Sequence, residues 1–432
     1  MPSSRLSLHD ELAWRGLLHQ QTEGCAEALA RGPVVGYCGF DPTAESLHVG
    51  NLVSLMGLVR LAQAGHTALA LVGGGTAMIG DPSGKSEERP MRSTKEIKAN
   101  AALIEAQIHR VAANALGVTD AKARFVVRDN AEWLAKEKLI PFLRDVGKHF
   151  TVNWMMQKDS VKSRMDSGIS FTEFSYMLLQ AYDFQRLHEK DGVSLQIGGS
   201  DQWGNITAGT ELIRRTSSGK SDAHGLTFPL LTDASGKKFG KTETGAVWLD
   251  AERTSPYQFY QYWINADDAD IGRLLRTFTL LGQAEIERIE TAHLAAPHER
   301  HAQKVLAAAV TALVHGADAA EVAETVSRTV FDKKTDANSL SDAVFEVLAA
   351  EMPSVRVAGA TVDVVEVLAS AFDLSKTAAR KLVQQGAVSV NGAKLAADTV
   401  SVPANEAVRG RWMLVRKGGR EVAVVQLSAG PR

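Results

Sequence analysis

Residues 37–51 read YCGFDPTAESLHVGN, and this stretch decides the fold of the chain. It continues an apolar run from Val34 that predicts a short buried strand, and it breaks at Gly39 and Asp41, a composition typical of loops. From residue 52 to residue 64 the apolar positions recur at helical spacing. A strand, a glycine-containing loop and a helix N-terminus commonly hold a phosphate, because free backbone N–H groups and the helix dipole favour an anion there.

Two short motifs support a phosphate site. In the first, His48 adds a side-chain donor and Gly50 lets the backbone approach a ligand closely. A single His-x-Gly is also compatible with an ordinary strand-to-helix turn. The second motif is KFGKT at residues 238–242, in which Lys238 and Lys241 can close onto phosphates. Alone it would be a solvated charged loop, so the pair of motifs carries the prediction.

Strands alternate with helices along the first half of the chain. Strand-like runs are predicted at Val34–Phe40, Ala68–Val72, Phe125–Val127, Ser194–Ile197 and Leu226–Leu231. Helices are predicted over residues 5–31 and at Leu52–Ala64, Lys95–Leu116, Ile140–Gly147 and Thr210–Arg215. This alternation predicts an α/β fold with a Rossmann-like parallel sheet, whose ligands bind at the carboxyl ends of the strands near a switch point.

The second half of the chain predicts a different organisation. Residues 255–330 lack convincing strands and predict an all-helical domain, and the polar residues after them predict a linker. A small α+β module follows, with a helix at Val364–Phe372, a second helix capped by Ser375, and an Asn391-Gly392 hairpin signal. From residue 360 onward ten Lys and Arg face six Asp and Glu, a net charge of +4 within a chain of −2. A basic module on an acidic body favours contact with nucleic acid.

Composition excludes several classes of protein. With 432 residues, 45% of them hydrophobic and 23% charged, the chain predicts two or three globular domains. It contains no apolar run near the ~18 residues that span a membrane, and its N-terminus lacks the pattern of a secretory signal. Two cysteines, Cys25 and Cys38, are too few for a disulfide framework or a zinc site. We therefore expect a cytoplasmic protein without a metal site of its own.

The two motifs resemble the signatures of class I aminoacyl-tRNA synthetases, and their spelling is similar to that of the bacterial tyrosyl-tRNA synthetases. Further blocks match this family in the same order: YCGFDPT at 37–43, GDPSGK at 80–85, FTEFSY at 171–176 and GGSDQWGN at 198–205. The resemblance covers nearly the whole chain. It departs from the general class signature at Asn51, which stands at the second histidine and cannot carry charge.

The resemblance implies four segments. Residues 1–235 would form the catalytic nucleotide-binding domain with an inserted dimerisation region, and residues 236–335 the signature loop with a helical domain on the anticodon side. Residues 336–361 would be a linker, and residues 362–432 a module similar to one found in a small-subunit ribosomal protein. The chain would act as a homodimer, with Phe171 and residues 147–150 as the expected interface.

The implied reaction has two steps. Tyrosine attacks the α-phosphate of ATP to give tyrosyl-adenylate and pyrophosphate, and the tyrosyl group then passes to the cognate tRNA. ATP enters as a substrate with Mg²⁺, and no tightly bound cofactor is expected. The attacking carboxylate is already ionised, so catalysis rests on positioning and on cations that meet the developing charge. The residues implied for this role are Thr43, His48, Lys85, Arg89, Lys238, Lys241 and Thr242. Lys85 and Arg89 are also compatible with a solvated loop.

Substrate recognition is implied for two further groups of residues. In the tyrosine pocket, Tyr37 and Asp183 would hold the phenol hydroxyl, while Asp81, Tyr176 and Gln180 would hold the ammonium group and Gln202 would reach the tyrosyl side. Tyr176, Gln180 and Asp183 fall on one helical face. The residues implied for ATP are Cys38, Gly39, Asp41, Gly50, Asn51, Gly199, Asp201 and Lys241.

Three alternatives remain. A tryptophanyl-tRNA synthetase has similar signatures, but Tyr37 and Asp183 argue against an indole pocket. An adenylyltransferase acting on a small metabolite would use the first motif without needing the helical and basic segments. A catalytically idle RNA-binding relative would not need chemically competent residues at each matched position.

Overall fold

A computed structural model describes residues 6–83, 92–118, 124–162, 165, 168–219, 221–232, 239–242, 245–332, 335–419 and 421–428. Residues 159, 160, 241 and 242 are described as backbone alone. The chain divides into two compact units. The first contains residues 1–255 and 262–315, and the second contains residues 256–261 and 316–432.

The first unit is built from alternating strands and helices. Its strands are β1 (Gln20–Gln21), β2 (Val35–Phe40), β3 (Thr67–Val72), β4 (Phe125–Asp129), β5 (Val193–Gly199), β6 (His224–Phe228), β7 (Lys241–Thr242) and β8 (Gly245–Ala246). Its helices are α1 (Leu8–Trp14), α2 (Cys25–Arg31), α3 (Val49–Gln63), α4 (Thr94–Leu116), α5 (Ala131–Leu134), α6 (Leu139–Asp145), α7 (Val152–Met156), α8 (Asp159–Lys162), α9 (Phe171–Asp191), α10 (Trp203–Thr216), α11 (Pro256–Ile264), α12 (Ile271–Phe278), α13 (Gln283–Ala295) and α14 (His301–His315). The first six residues of α11 cluster with the second unit.

Six strands form the main sheet in the order β1-β6-β5-β2-β3-β4. All neighbours pair in parallel except β1, which runs antiparallel to β6 at the edge. The chain winds outward from β2 through β3 to β4, and outward on the other side from β5 to β6. The switch point therefore lies between β2 and β5, where ligands bind in sheets of this kind. The parallel sheet expected from the sequence is confirmed.

The structure corrects one prediction near the N-terminus. Residues 5–31 do not form a continuous helix, since β1 separates α1 from α2. Gly16 and Gly24 have φ angles of 72° and 77°, which is left-handed backbone that interrupts a helix. The segment between them instead pairs with β6.

Helix α9 matters most for the site, although the sequence indicated only one face of it. The Ser170 hydroxyl accepts a hydrogen bond from the backbone of Glu173 at the N-terminus, and Gly192, with φ 67°, ends the helix. Its packing partner is α10, which follows β5. Together the two helices cover the sheet beside the switch point.

The second unit contains α15 (Ala317–Phe331), α16 (Asp342–Glu351), α17 (Val364–Ala371) and α18 (Lys376–Gln384). Its strands are β9 (Ser354–Val357), β10 (Thr361–Asp363), β11 (Val388–Val390), β12 (Ala393–Lys394), β13 (Ser401–Pro403), β14 (Trp412–Lys417) and β15 (Glu421–Leu427). The predicted hairpin joins β11 to β12, with φ angles of 49° at Asn391 and 87° at Gly392. Ser375 caps α18 as predicted.

The linker predicted at residues 336–361 is wrong for most of its length. Helix α16 begins at a capping Ser341, and β9 pairs in parallel with β15 in a five-stranded sheet. Alternate residues of β14 pack on opposite faces of that sheet. Trp412 and Leu414 face α15 and α16, while Met413 and Val415 face α17 and α18. The sheet consequently needs both helical layers to bury its apolar side chains.

Candidate active site

A cavity of about 440 Å³ opens at the carboxyl ends of β2 and β5 in the first unit. Every site residue predicted from the sequence whose backbone and side chain are both described lines this cavity. They are Tyr37, Cys38, Gly39, Asp41, Thr43, His48, Gly50, Asn51, Asp81, Tyr176, Gln180, Asp183, Gly199, Asp201 and Gln202. The structure thus brings together residues that lie up to 165 positions apart in the sequence.

One end of the cavity carries a buried phenol and a buried carboxylate. Tyr37 and Asp183 are each only 1% exposed, and the Tyr37 hydroxyl has no hydrogen-bond partner among the described residues. Asp183 accepts two hydrogen bonds, from Trp133 Nε1 at 2.7 Å and from Asn130 Nδ2 at 2.8 Å. A buried hydroxyl without a partner is costly, so this end of the cavity is suited to a ligand hydroxyl.

Burial raises the pKa of Asp183 to about 7, even though the hydrogen bonds from Asn130 and Trp133 favour its charged form. Burial and the nearby Asp183 charge also raise the pKa of Tyr37. At neutral pH Tyr37 is therefore a neutral donor, and Asp183 is close to the pH at which it gains a proton. An acceptor and a donor stand side by side, as recognition of a phenol requires.

The next part of the cavity holds a group of carboxylates and amides. Tyr176 donates its hydroxyl hydrogen to Asp41 Oδ2 at 3.0 Å. Gln202 donates to Asp81 Oδ2 at 2.8 Å, and Gln180 donates to the Gln202 side-chain oxygen at 3.3 Å. These oxygens surround the cavity with partial and full negative charge, which fits a cationic ammonium group.

The turn between β2 and α3 forms the opposite wall. His48 is the N-cap residue of α3, and the Asn51 side-chain oxygen accepts the His48 backbone N–H at 3.0 Å. The oxygen of the Asn51 side chain is thus used at the start of the helix, and its NH₂ group is the part that could donate to a ligand. A Cβ on Gly50 would stand 2.8 Å from His48 Cε1, so only glycine leaves room for the imidazole in this position.

The second motif lies directly against the first. Gly240 has a φ of 86°, and a Cβ built on it would stand 3.1 Å from the Gly50 nitrogen. Its N–H donates to the Tyr262 hydroxyl at 3.2 Å, and its carbonyl accepts from Val247 at 3.1 Å. The Phe239 ring packs against Tyr262, Trp263 and Phe278 with centroids 5.6–5.8 Å apart. The middle of the KFGKT motif is therefore fixed beside the His48 turn.

Five predicted residues cannot be assessed with the rest. Lys85, Arg89 and Lys238 lie outside the described residues. Lys241 begins strand β7, which pairs with β8, and Thr242 follows it in the same strand. Only the backbone of these two residues is described. The roles of all five residues of this cationic group remain predictions.

The carboxyl end of β5 and the neighbouring end of β2 form a further part of the cavity wall. Gly199 ends that strand, and a Cβ on it would stand 2.7 Å from Asp201 Oδ1, so glycine allows the carboxylate to lie against the backbone. Cys38 is 4% exposed and donates to the Gly39 carbonyl at 3.7 Å. Burial raises its pKa to about 12, so the thiol is an unreactive part of the wall.

The sequence analysis missed several polar residues of the cavity, namely Thr76, Asn130, Trp133, Gln196 and Asn205. Thr76, Asn130 and Gln196 line it directly, and Gln196 is 2% exposed with an amide oxygen that has no partner among the described residues. A signal for two of them was available. Thr76 and Asn130 closely follow predicted strands, at the edge of the sheet where ligands bind.

Comparisons with known proteins agree with this geometry. The model of the class I tRNA synthetases for tryptophan and tyrosine (W and Y) matches residues 29–332. The model of the tyrosine–tRNA ligase SYY-like C-terminal domain matches residues 345–425. Tyrosine–tRNA ligases of Anaeromyxobacter dehalogenans and Bacillus caldotenax are 50% and 48% identical to the chain. Each alignment covers 98% of this chain, and 99% and 100% of the respective relatives.

A solved structure is similar as well. A C-terminally truncated mitochondrial tyrosyl-tRNA synthetase from Aspergillus nidulans superposes with a TM-score of 0.69 at 32% identity, covering 76% of this chain and 95% of that one. A tryptophanyl-tRNA synthetase from Encephalitozoon cuniculi, at 13% identity and a TM-score of 0.52, shares the fold alone. The chain therefore belongs to the tyrosine–tRNA ligase family, within the class I tRNA synthetases.

Proposed function

We propose that this chain activates L-tyrosine with ATP in the cavity between β2 and β5, and then transfers the tyrosyl group to its cognate tRNA. The observation that carries the proposal is the pair of Tyr37 and Asp183, a buried donor and a buried acceptor at the closed end of the cavity. Phenylalanine in that place would leave the buried Tyr37 hydroxyl without a hydrogen-bond partner and would offer no hydrogen to the Asp183 carboxylate, and an unpaired buried hydroxyl is costly. An indole N–H can only donate a hydrogen bond, so it could not also accept one from the Tyr37 hydroxyl as a phenol does.

The amino acid is held so that its carboxylate faces the nucleotide. Tyr176, Asp81 and Gln180 bind the ammonium group, and Gln202 lies next to them along the cavity wall. ATP lies along the backbone of Gly39 and Gly199, with Asp201 accepting from the ribose. The carboxylate oxygen attacks the α-phosphorus, and the bond to the pyrophosphate oxygen breaks as the new bond forms.

Charge stabilisation drives this step. Thr43, His48 and Gly50 meet the phosphates from the α3 side, where the helix N-terminus adds its favourable dipole. Lys238, Lys241 and Thr242 approach from the KFGKT motif, whose Gly240 already lies against Gly50. Lys85 and Arg89 complete the cationic group. ATP would enter with Mg²⁺ on its phosphates, and phosphate oxygens together with water would supply most of the ligands of that ion.

Amino-acid-dependent exchange of labelled pyrophosphate into ATP tests the proposal. We expect exchange with tyrosine and none of comparable rate with the other nineteen amino acids. Exchange with tryptophan, or with none, would refute the assignment. His48→Ala should lower the rate of adenylate formation in stopped flow and leave tyrosine affinity nearly unchanged, because it acts on charge that develops in the transition state.

The partners follow from the second unit and from an exposed apolar surface. The basic residues of the C-terminal module supply tRNA binding. A homodimer is supported by Phe171, which is 77% exposed, together with other exposed apolar side chains of the same inserted region: Leu139, Ile140, Leu143, Val152 and Met156. Such a group of apolar side chains on a monomer marks an interaction surface. Phe171→Ser should shift the sedimentation coefficient toward that of a monomer.

Two expectations from the sequence remain predictions. One is the cytoplasmic location, which was expected from the lack of a secretory pattern and of a membrane-spanning run and from the small number of cysteines. The other is the expected involvement of residues 147–150 in the dimer. Among the described helices, none is both long and apolar enough to cross a membrane.

A further inference from the structure

A hydrogen-bond chain runs through the wall of the cavity and joins its two ends. It begins at Asp183, whose Oδ2 accepts from Asn130 Nδ2 at 2.8 Å. The same amide nitrogen donates to Thr76 Oγ1 at 3.1 Å, and the Thr76 hydroxyl donates to Asp41 Oδ1 at 2.9 Å. Asp41 Oδ2 accepts from the Tyr176 hydroxyl at 3.0 Å. Five side chains thus form one continuous path.

The direction of every hydrogen bond in this path is fixed. The Gly75 N–H donates to Asn130 Oδ1 at 2.7 Å, so the amide must present its NH₂ group to Asp183 and Thr76. Since Thr76 Oγ1 accepts from that amide, its own hydrogen is free to go to Asp41. Both carboxylates receive donors only.

The residues of this path are buried and closely packed. Asn130, Thr76 and Asp183 are 1%, 3% and 1% exposed, so water does not replace a lost hydrogen bond cheaply. A Cβ on Gly73 would stand 2.0 Å from Asp41 Oδ1 and 2.5 Å from Thr76 Oγ1. Glycine at this position is what allows these two oxygens to meet beside the backbone at the end of β3.

We propose that Thr76 is a positioning residue that couples the two ends of the tyrosine pocket, so that recognition of the phenol at Asp183 and of the ammonium group at Tyr176 is cooperative. Thr76 does not touch the substrate in this role. It orients Asp41 toward Tyr176 and, through Asn130, keeps Asp183 aligned toward the phenol. This inference rests on the proposed function, since it assigns the two ends to the two groups of tyrosine.

A substitution that removes only the hydroxyl tests the proposal. Thr76→Val keeps the size and branching of the side chain, and Thr76→Ser restores the hydroxyl. We expect Thr76→Val to raise the KM for tyrosine about tenfold with an unchanged KM for ATP, the size expected when a hydrogen bond to a charged group is lost. Thr76→Ser should recover most of the wild-type KM. Thr277→Val is the matched control, because Thr277 is also buried but donates to the Arg273 carbonyl away from the cavity.

Coupling is measured by a second variant and a second substrate. In the wild-type background, Tyr176→Phe should reduce kcat/KM for tyrosine more than for phenylalanine, because the loss reaches the phenol end. In the Thr76→Val background, Tyr176→Phe should reduce kcat/KM for both substrates by the same factor. Pyrophosphate exchange provides all of these constants.

The outcomes are separable. If wild-type protein shows no exchange with tyrosine, the proposed function fails. If wild-type protein exchanges with tyrosine but Tyr176→Phe has equal effects on both substrates in both backgrounds, the coupling is absent and the inference is overturned. Thr76 would have a purely structural role if Thr76→Val lowers the melting temperature and raises the KM for tyrosine and the KM for ATP equally. In that case Thr76→Ser would not recover the wild-type values.

Discussion

At the scale of single residues, Tyr37 gives the most direct test of the pocket. Its hydroxyl is buried without a partner among the described residues, so it is available to donate to a bound phenol. Tyr37→Phe should therefore lower the preference for tyrosine over phenylalanine by about fivefold to tenfold, which corresponds to one hydrogen bond of ~1 kcal/mol or slightly more. The ratio of kcat/KM values in pyrophosphate exchange measures this preference. An unchanged ratio would mean that Tyr37 faces the wall and not the substrate.

Asp183 gives a prediction about pH. Its pKa is raised to about 7, chiefly by burial, so the carboxylate predominates above pH 7 and the neutral acid below it. Only the carboxylate accepts a phenol hydrogen without disturbing the donors Asn130 and Trp133. Tyrosine affinity, measured without ATP by equilibrium dialysis, should fall as the pH decreases from 8 to 6. Asp183→Asn should bind tyrosine weakly with little dependence on pH in that range, and an equally steep dependence in this variant would assign the titration elsewhere.

The sequence predicted the residues that line the cavity better than the residues that orient them. Tyr37 and Gln202 belong to local motifs, Asp183 falls on the same helical face as Tyr176, and the residue types of all three already suit the chemistry. Asn130 and Thr76 come from loops after β4 and β3, and their importance depends on the partners that the folded sheet brings to them. Their positions after predicted strands place them at the ligand-binding edge of the sheet, but no local pattern in the sequence identifies their hydrogen-bond partners.

At the scale of elements, the junction between the two signature motifs depends on Gly240. A side chain there would stand 3.1 Å from the Gly50 nitrogen, and its φ of 86° is unfavourable for any residue with a Cβ. Gly240→Ala should therefore separate the KFGKT strand from the α3 turn and slow adenylate formation at least tenfold, while tyrosine affinity stays close to that of the wild type. Stopped flow gives both constants. Gly282→Ala is the control, because Gly282 has a φ of −73° and open space around its Cβ position. An equal loss in both variants would point to a general loss of stability.

Signals from neighbouring residues in the sequence predicted some elements of the second unit correctly and missed others. The Asn391-Gly392 turn and the Ser375 cap are decided by neighbours within a few residues, and both were predicted correctly. The stretch at 336–361 looked like a linker because Ser341 and its neighbours are polar. Strand β9 lies in this stretch and is stabilised by parallel pairing with β15, which lies about seventy residues later in the sequence. Nearby residues therefore do not reveal it.

At the scale of the whole molecule, the organisation of the second unit decides where the chain can be cut. The apolar core of this unit joins Val326 and Val330 of α15 to Phe345 of α16 and Trp412 of β14. Arg416 of β14 is buried, and its guanidinium donates to the carbonyls of Thr329, Val330 and Asp332 at the end of α15. A cut after Pro353 would remove the sheet and leave the apolar faces of α15 and α16 in water. A cut after His315 instead removes the whole second unit except residues 256–261.

The two truncations should consequently behave differently. We expect the protein ending at His315 to remain folded and to exchange pyrophosphate with tyrosine, but to bind tRNA weakly. The protein ending at Pro353 should unfold at a lower temperature and aggregate, because it exposes the core of a unit that lacks its sheet. Differential scanning calorimetry and pyrophosphate exchange distinguish these results. A stable Pro353 truncation with full activity would show that α15 and α16 do not need the sheet.

The ion pairs of the second unit predict which of its basic side chains bind tRNA. Arg409 and Arg411 each lie 3.6 Å from a carboxylate of α16, Asp342 and Glu346 respectively, whereas Arg380 and Lys381 are exposed on α18. Each contact between a basic side chain and a tRNA phosphate releases counterions. Removing such a contact therefore makes tRNA affinity decrease less steeply with salt concentration. Replacing Arg380 and Lys381 by alanine should reduce the salt slope in filter binding by about 2. Replacing Arg409 and Arg411 should change it less, because their charges are already partly neutralised by α16. If the second pair has the larger effect, the RNA surface lies on the β14 side of the module and the ion pairs with α16 open when tRNA binds.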